Sequence, residues 1–244
     1  METAEHLQTL DREGRLLAAA AEAAGPDAEV PDCPKWRVRD LLRHTGAVHE
    51  WATGFVTGGH TAPRPVADNP DLDGAELASW YRKSHRELVD ALAPTEPECW
   101  TFHPAPYPSP LAFWTRRQAH ETTVHRRDAE AARGGAVSPV AADLSADGVD
   151  ELLRGFHARP RSRVRTERPR TLRVRAVDAG GDAVWTVRLS AESPVASRDA
   201  PGEADTELSG PARPLYLALW NGGPVPQVTG DPGVAALWRE RSGV

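Results

Sequence analysis

The stretch RRQAHETTVHRRDAE, residues 116–130, decides the reading of this chain, because it sets two metal-capable side chains on one helical segment. Glu121 and His125 are four residues apart, a spacing that projects both from one face about one turn apart. The segment extends from about Pro110 to Arg133 and ends at Gly134-Gly135, a stop signal for a helix.

Working outward, three further segments carry helical periodicity, separated by proline- and glycine-rich turns. The first runs from about Ala4 to Ala24, with Leu7, Leu10, Leu16, Leu17 and Ala20 near one stripe, and Gly25-Pro26 stops it. The second spans roughly Trp36 to Val56. There Val38, Leu41, Leu42, Thr45, Val48, Ala52 and Phe55 recur at helical spacing before Gly58-Gly59. The third, about Asp73 to Leu92, has Asp73 at the N-cap and Glu76 at the capping-box position, and buries Leu77, Trp80, Tyr81, Leu88 and Leu92 ahead of Pro94. Four such segments predict a four-helix bundle.

Beyond residue 140 the pattern changes. SADGVDELLRGF, from Ser145, reads as a short helix, whereas TLRVRAV and AVWTVRLS alternate like two strands around DAGGD. PARPLYLALWNG reads as a helix, PVPQVTG as a short strand, and DPGVAALWRERS as a closing helix capped by Asp231. The expected fold class is therefore α+β, with a bundle over residues 1–142 and a small α+β domain over 143–244.

Bulk composition narrows the function classes. A length of 244 residues, with 40% hydrophobic and 26% charged residues, supports a packed core. The net charge of −6 argues against a nucleic-acid partner, which needs a basic face. No run of about 18 apolar residues and no secretory signal is readable, so no membrane partner and a cytoplasmic location are expected. Cys33 and Cys99 form no CxxC, which removes a redox dithiol and an all-cysteine zinc site and leaves a reduced pair as the default. No GxSxG, P-loop or Rossmann glycine pattern is present.

Two ligands on one helix need a third from another. His44 is the leading candidate because it lies beside the apolar stripe of the second segment, with Asp40 one turn earlier; His49 competes. Two imidazoles and one carboxylate suit zinc and leave a fourth tetrahedral position open, as in catalytic sites, although nickel, iron or cobalt accept the same donors. Asp128 is placed to accept a hydrogen bond from the His125 nitrogen that faces away from the metal, and Asp40 is the corresponding candidate beside His44. In the loop before the ligand helix, Trp100 and Phe102 are expected to wall a pocket, while Trp51, Trp80 and Trp114 fall at core spacing. His103 and His120 are available as bases but match no motif. The eight arginines between Arg159 and Arg175 read as an exposed linker entering a strand, with an anionic ligand as the alternative. Within it, Arg173 and Arg175 share a face opposite Leu172 and Val174.

Two segments, WRVRDLLRHTGAVHEWA (Trp36–Ala52) and RRQAHETTVHRRDAE (Arg116–Glu130), resemble the paired signatures of the mycothiol-dependent maleylpyruvate isomerase family. ADGVDELL (Ala146–Leu153) and LALWNGGPVPQVTGDPGVAALW (Leu217–Trp238) are similar to that family's C-terminal domain. The resemblance implies a DinB-like metal-binding four-helix bundle, with metal ligands at His44, Glu121 and His125, and a C-terminal domain distantly like sterol-carrier folds. It further implies one zinc ion, mycothiol (the low-molecular-weight thiol of actinobacteria) as cosubstrate, and an isomerase or S-transferase acting on a small electrophile through a metal-bound thiolate. Arg117 is the candidate for stabilising developing negative charge. Many relatives carry an arginine soon after the Leu-Trp dipeptide, where this chain reads Trp220-Asn221-Gly222-Gly223, so the substrate stays open. A non-catalytic metal- or ligand-binding protein and a metal-dependent hydrolase are the alternatives, and both monomer and homodimer fit the bundle.

Overall fold

The computed structural model describes residues 1–93, 96–102, 107–180, 183–199, 202–221 and 224–242, with the side chain of Asn221 left aside. The protein has an α+β fold with an N-terminal helical domain. It divides into two compact units, Met1–Phe102 with Tyr107–Pro139, and the residues from Val140 on.

The first unit is built from α1 (Thr3–Ala24), α2 (Val38–Gly58), α3 (Gly74–Leu92) and α4 (Pro110–Arg133). Each start has a local cause. The Glu2 amide donates to Glu5 Oε2 (2.7 Å), the Arg37 amide to Asp40 Oδ2 (2.9 Å), and the Ser109 hydroxyl accepts from the Ala112 amide (3.2 Å) just ahead of Pro110. Gly59 ends α2 in the left-handed region at φ 57°. Two apolar clusters fill the bundle. Leu17, Val38, Leu41, Leu77, Tyr81 and Ala129 form one; Leu10, Ala52, Phe55, Leu88, Phe113 and Trp114 form the other. Each buried leucine contributes roughly 1.5–3 kcal/mol, so these stripes dominate the bundle's stability.

One buried ion-pair network crosses the bundle. Arg126 is fully buried, with Nε 2.6 Å from Glu13 Oε2 and Nη1 2.7 Å from Glu130 Oε2, which ties α4 to α1. Cys33 and Cys99 are not joined. No helix among the described residues is long and apolar enough to cross a membrane.

The second unit opens with α5 (Ala142–Asp150), which runs on as a π-helical segment, Glu151–Phe156. A five-stranded sheet follows in the order β3-β2-β1-β4-β5, from β1 (Arg170–Ala176), β2 (Val184–Leu189), β3 (Val195–Ser197), β4 (Thr206–Gly210) and β5 (Gln227–Gly230). β1 and β2 pair antiparallel with Arg170 opposite Leu189, whereas β1 and β4 run parallel with Val174 opposite Leu208. Leu172 and Val174 are fully buried, and Arg175 on the other face reaches Glu207 of β4 at 3.1 Å, as alternation predicts. α6 (Ala212–Asn221) and α7 (Pro232–Arg241) complete the unit. Asp178 caps α6 by accepting from the Ala212 amide at 2.6 Å, and Asp231 caps α7.

The arginine-rich stretch is not a loose linker. Arg165 donates to the carbonyls of Pro160 (2.7 Å), Ser162 (3.1 Å) and Ala191 (3.1 Å), and Arg159 is buried. Guanidinium groups supply several donors each, and here they satisfy a turn that lacks regular backbone pairing.

Candidate metal centre

α2 carries His44, and α4 carries Glu121 and His125. The bundle brings them together: His44 Nε2 and His125 Nε2 each lie 3.2 Å from the same oxygen, Glu121 Oε1. All three donor atoms fall within 4.8 Å of one another. The two imidazoles meet edge to face, with ring centres 5.1 Å apart.

Buried partners hold two of the three side chains in place. Asp128, one turn along α4 from His125, sits with Oδ2 3.1 Å from His125 Nδ1, and its side chain is 1% exposed. Arg117, 4% exposed, places Nη2 2.8 Å from Glu121 Oε2. The carboxylate therefore has one oxygen committed to the cation Arg117 and the other facing the two rings.

That arrangement raises a proton question. If Nδ1–H of His125 donates to Asp128, Nε2 presents a lone pair to Glu121 Oε1, and two acceptors at 3.2 Å repel unless a positive charge lies between them. A proton fills the role in the metal-free protein. Burial disfavours the charged His125 ring, but the hydrogen bonds to Asp128 and Glu121 outweigh it and push its pKa up to about 9. For Glu121 burial acts upward, yet the two histidines and Arg117 together hold its carboxyl well below the usual range.

A divalent ion fits the same place. With zinc–ligand bonds of about 2.0–2.1 Å, adjacent donors in a tetrahedron stand about 3.3 Å apart. The two observed 3.2 Å separations from Glu121 Oε1 match that spacing, and the two imidazole nitrogens lie within 4.8 Å of each other. The donor set, two imidazole nitrogens and one carboxylate oxygen, is one that zinc accepts. His44 is 34% exposed, so the cluster opens on its side.

Several expected residues lie elsewhere. Asp40 does not orient His44: its carboxylate is taken by the Arg37 amide at the start of α2 and lies 3.8 Å from Arg43. Helix-start capping has first claim on an acid at that position. Arg117 does not face a substrate anion, since its guanidinium is buried against Glu121. Trp100 and Phe102 pack with Phe55, Trp114 and Trp51 in the second apolar cluster. His49 is no ligand of this cluster; it is fully buried, 3.0 Å from Thr122 Oγ1, and burial lowers its pKa to about 3. His120 is buried beside His6, and His103 lies outside the described residues.

One wall went unforeseen. Trp36 precedes α2 in a turn fixed by its amide to the Cys33 carbonyl (2.8 Å) and its carbonyl to the Val30 amide (3.1 Å). Its indole lies 4.9 Å from the His44 ring and stacks at 5.9 Å on His125. The helical spacing of Trp36 hid it, because the residue reads as the first of the second helix. Cys33 lies in the same turn, where burial, then Asp128 and Asp32, push its thiol up to about 11 and disfavour the thiolate.

Residues 7–130 match the mycothiol maleylpyruvate isomerase N-terminal domain, and residues 143–239 match the MDMPI C-terminal domain. The chain belongs to this family. All three clustered donors, with Arg117 and Asp128, fall inside the matched N-terminal span. Two solved structures share the family's fold. One is the crystal structure of the mycothiol-dependent maleylpyruvate isomerase, with a TM-score of 0.60 and 15% identity over 96% of this chain and 94% of that one. The other is a histidine-to-alanine mutant of a protein of that description, at 0.63 and 12% over 94% and 93%. At these identities the likeness is one of fold. No curated protein matches the sequence significantly.

Proposed function

We propose that His44, Glu121 and His125 hold one divalent ion, zinc by its donor set, and that the protein is a mycothiol-dependent isomerase acting on a small electrophile such as maleylpyruvate. Family membership and the convergence of two imidazole nitrogens on one oxygen of Glu121 support this reading. A thiol transferase is the nearest variant of the same chemistry.

The bound ion supplies a positive charge that favours the ionised form of a thiol at neutral pH. The protein's own groups do the rest. Asp128 keeps the His125 proton at Nδ1, so that Nε2 is free to ligate. Arg117 fixes the rotation of the Glu121 carboxylate by holding Oε2, which aims Oε1 at the histidines. Trp36 covers one side of both rings and limits water there.

In the reaction, the thiolate sulfur adds to the activated carbon–carbon double bond and the electron pair moves onto the conjugated carbonyl oxygen. The former double bond rotates as a single bond. Return of the electrons expels the thiolate, regenerating it with the double bond in the other geometry, so no atom is gained or lost. No cysteine of the chain is needed, in keeping with the unreactive Cys33.

The test is elemental analysis of purified wild type and His125→Ala after dialysis without chelator, followed by an isomerisation assay with and without mycothiol. The expected result is about one zinc per chain in wild type, a large loss in the variant, and turnover that requires the thiol. A wild type that neither contains nor takes up a divalent metal would overturn the reading.

A further inference from the structure

In the C-terminal unit the chain leaves the π-helical segment at Phe156 and doubles back. The Arg159 amide donates to the Phe156 carbonyl (3.4 Å) and the Ser162 amide to the Arg159 carbonyl (3.0 Å). Against the end of α7 this turn encloses a cavity of about 250 Å³ lined by Arg159, Arg161, Arg163, Arg241, His157 and Ser162, with the Phe156 ring beside them. Four arginines thus line one small space, with Arg159 Nε donating to the Phe156 carbonyl at 3.2 Å, and among the described residues no carboxylate lines it. Arg161 and Arg241 make no ion pair with any described residue.

A second observation is independent of the charge. His157 is 2% exposed, its Nδ1 lies 3.2 Å from Ser162 Oγ, and its Nε2 is buried without a partner. Ser162 Oγ already accepts from the Val164 amide at 3.4 Å, so its hydroxyl proton is available for Nδ1. With the Ser162 hydroxyl donating to Nδ1, the ring proton resides on Nε2, a buried N–H with no nitrogen or oxygen acceptor, beside the Trp238 ring with centres 4.7 Å apart. Buried donors are satisfied in folded proteins, and an unmet one calls for a missing acceptor. Burial, with the charge of Arg159, also keeps the ring neutral near pH 7, which leaves Nε2–H as a donor of fixed direction.

We propose that this cavity is a binding site for a tetrahedral oxyanion: phosphate, or the phosphoryl group of a small metabolite. Guanidinium forks match phosphate oxygens in pairs. Arginines from both the turn and α7 line the space, which suits an acceptor with oxygens on all sides better than a planar carboxylate. The volume admits a phosphoryl group with only a short attachment, and the negative overall charge of the chain excludes an extended nucleic-acid surface. The site shares no residue with the metal cluster, so it stands whether or not the metal reading does.

Isothermal titration of the full-length protein with inorganic phosphate and with glycerol phosphate, at constant ionic strength, tests this. Saturable binding of about one anion per chain is expected, and the tighter of the two names the source. Arg161→Ala combined with Arg241→Ala removes two exposed cations without touching the core, and is expected to weaken binding at least about tenfold while leaving the thermal midpoint without phosphate unchanged. Arg188→Ala on β2, an exposed arginine remote in sequence from the cavity, changes charge in the same sense and is expected to leave affinity within about twofold. No saturable binding of either anion at millimolar concentrations would overturn the proposal. So would equal weakening by Arg188→Ala, which would mean that net charge alone attracts the anion.

Discussion

Replacing Asp128 by Asn is the sharpest probe of the proposed metal centre, because it changes one charge in a side chain that is 1% exposed and preserves its shape. The carboxylate accepts from His125 Nδ1 at 3.1 Å. An amide oxygen can still accept there, but without the charge that polarises the ring and raises its basicity as a ligand. Loss of such a partner costs about 10–100-fold in metal affinity, or about 1.4–2.7 kcal/mol. The structure adds a pH signature. In the metal-free protein His125 holds its proton up to about pH 9, partly because of Asp128, so below that pH an incoming ion must displace it. Apparent wild-type affinity then falls about tenfold per pH unit below 9. Asp128→Asn lowers the proton affinity of the ring as well as its metal affinity, so competition by protons is weaker in the variant. The ratio of the two dissociation constants is therefore largest near pH 9 and shrinks as pH falls toward 6. Zinc titration against a chromophoric chelator across that range measures it. Asp32→Asn is the control, since Asp32 is a neighbouring acid whose ion pair is with Arg127. Equal affinities for wild type and Asp128→Asn at pH 9, or the same loss in Asp32→Asn, would refute the orienting role.

Three further outcomes are expected. His49 is neutral in the fold, with its pKa lowered to about 3 by burial and then by His85, against about 6.5 unfolded; the stability it contributes is complete above pH 6.5 and is lost as pH falls toward 3. Urea unfolding at pH 7 and 5 should show a decline that His49→Gln flattens, and parallel declines in both proteins would remove His49 as the cause. Truncating Arg126 to Ala leaves buried Glu13 with Arg12 and buried Glu130 with Ser138 as their remaining partners, and chemical denaturation should report a loss of about 3 kcal/mol; a loss under about 1 kcal/mol would mean that the network is open to water. A Cβ at Gly46 would stand 2.2 Å from Trp80 Cζ3, so Gly46→Ala should cost about 1–3 kcal/mol despite the better helix propensity of alanine, and a thermal midpoint at or above that of wild type would contradict the packing.

How much of this was legible depended on whether local chemistry carried the information. The helices were, because their apolar period and stop signals are local: Gly25, Gly59 and Gly134 stand at the ends of α1, α2 and α4. The β1–β2 hairpin was readable for the same reason, from strict alternation. β4 was not. TELSG offers only Leu208 as a large apolar residue, yet the strand lies inside the sheet between β1 and β5, because parallel pairing with β1 is a long-range contact that leaves no local period. β3 is three residues long and gave no pattern to read. At the site, Glu121 and His125 were readable from their spacing on one helix, and His44 led over His49 by its place beside the apolar stripe, with the family resemblance in support. What stayed hidden was the assignment of partners. Asp40 lies one turn before His44 but is spent on the helix start, and Trp36 leaves the helical register to cover the rings.

Arg117 shows why the fold, rather than the motif, decides its role. A cation one turn before a ligand is equally placed for a substrate or for the ligand itself, and burial selects the second. The consequence is electrostatic. On the proposed reading Glu121 and Arg117 cancel, His44 and His125 ligate as neutral rings, and Asp128 leaves one negative charge beside the cluster, in part shared with Arg127 at 3.5 Å. On the proposed reading a divalent ion turns that into a net charge of about +1, and a singly charged sulfur brings it to zero. A half-buried centre is most stable when its charges sum to zero, so this set of residues favours the ionised thiol over the neutral one without a base to deprotonate it. Arg117→Gln would remove one positive charge and leave the centre neutral before the thiol binds. The thiol's apparent pKa on the enzyme should then rise, read as a shift of the pH–rate profile to higher pH. A profile unchanged in Arg117→Gln would show that Arg117 positions Glu121 and has no part in the charge of the centre.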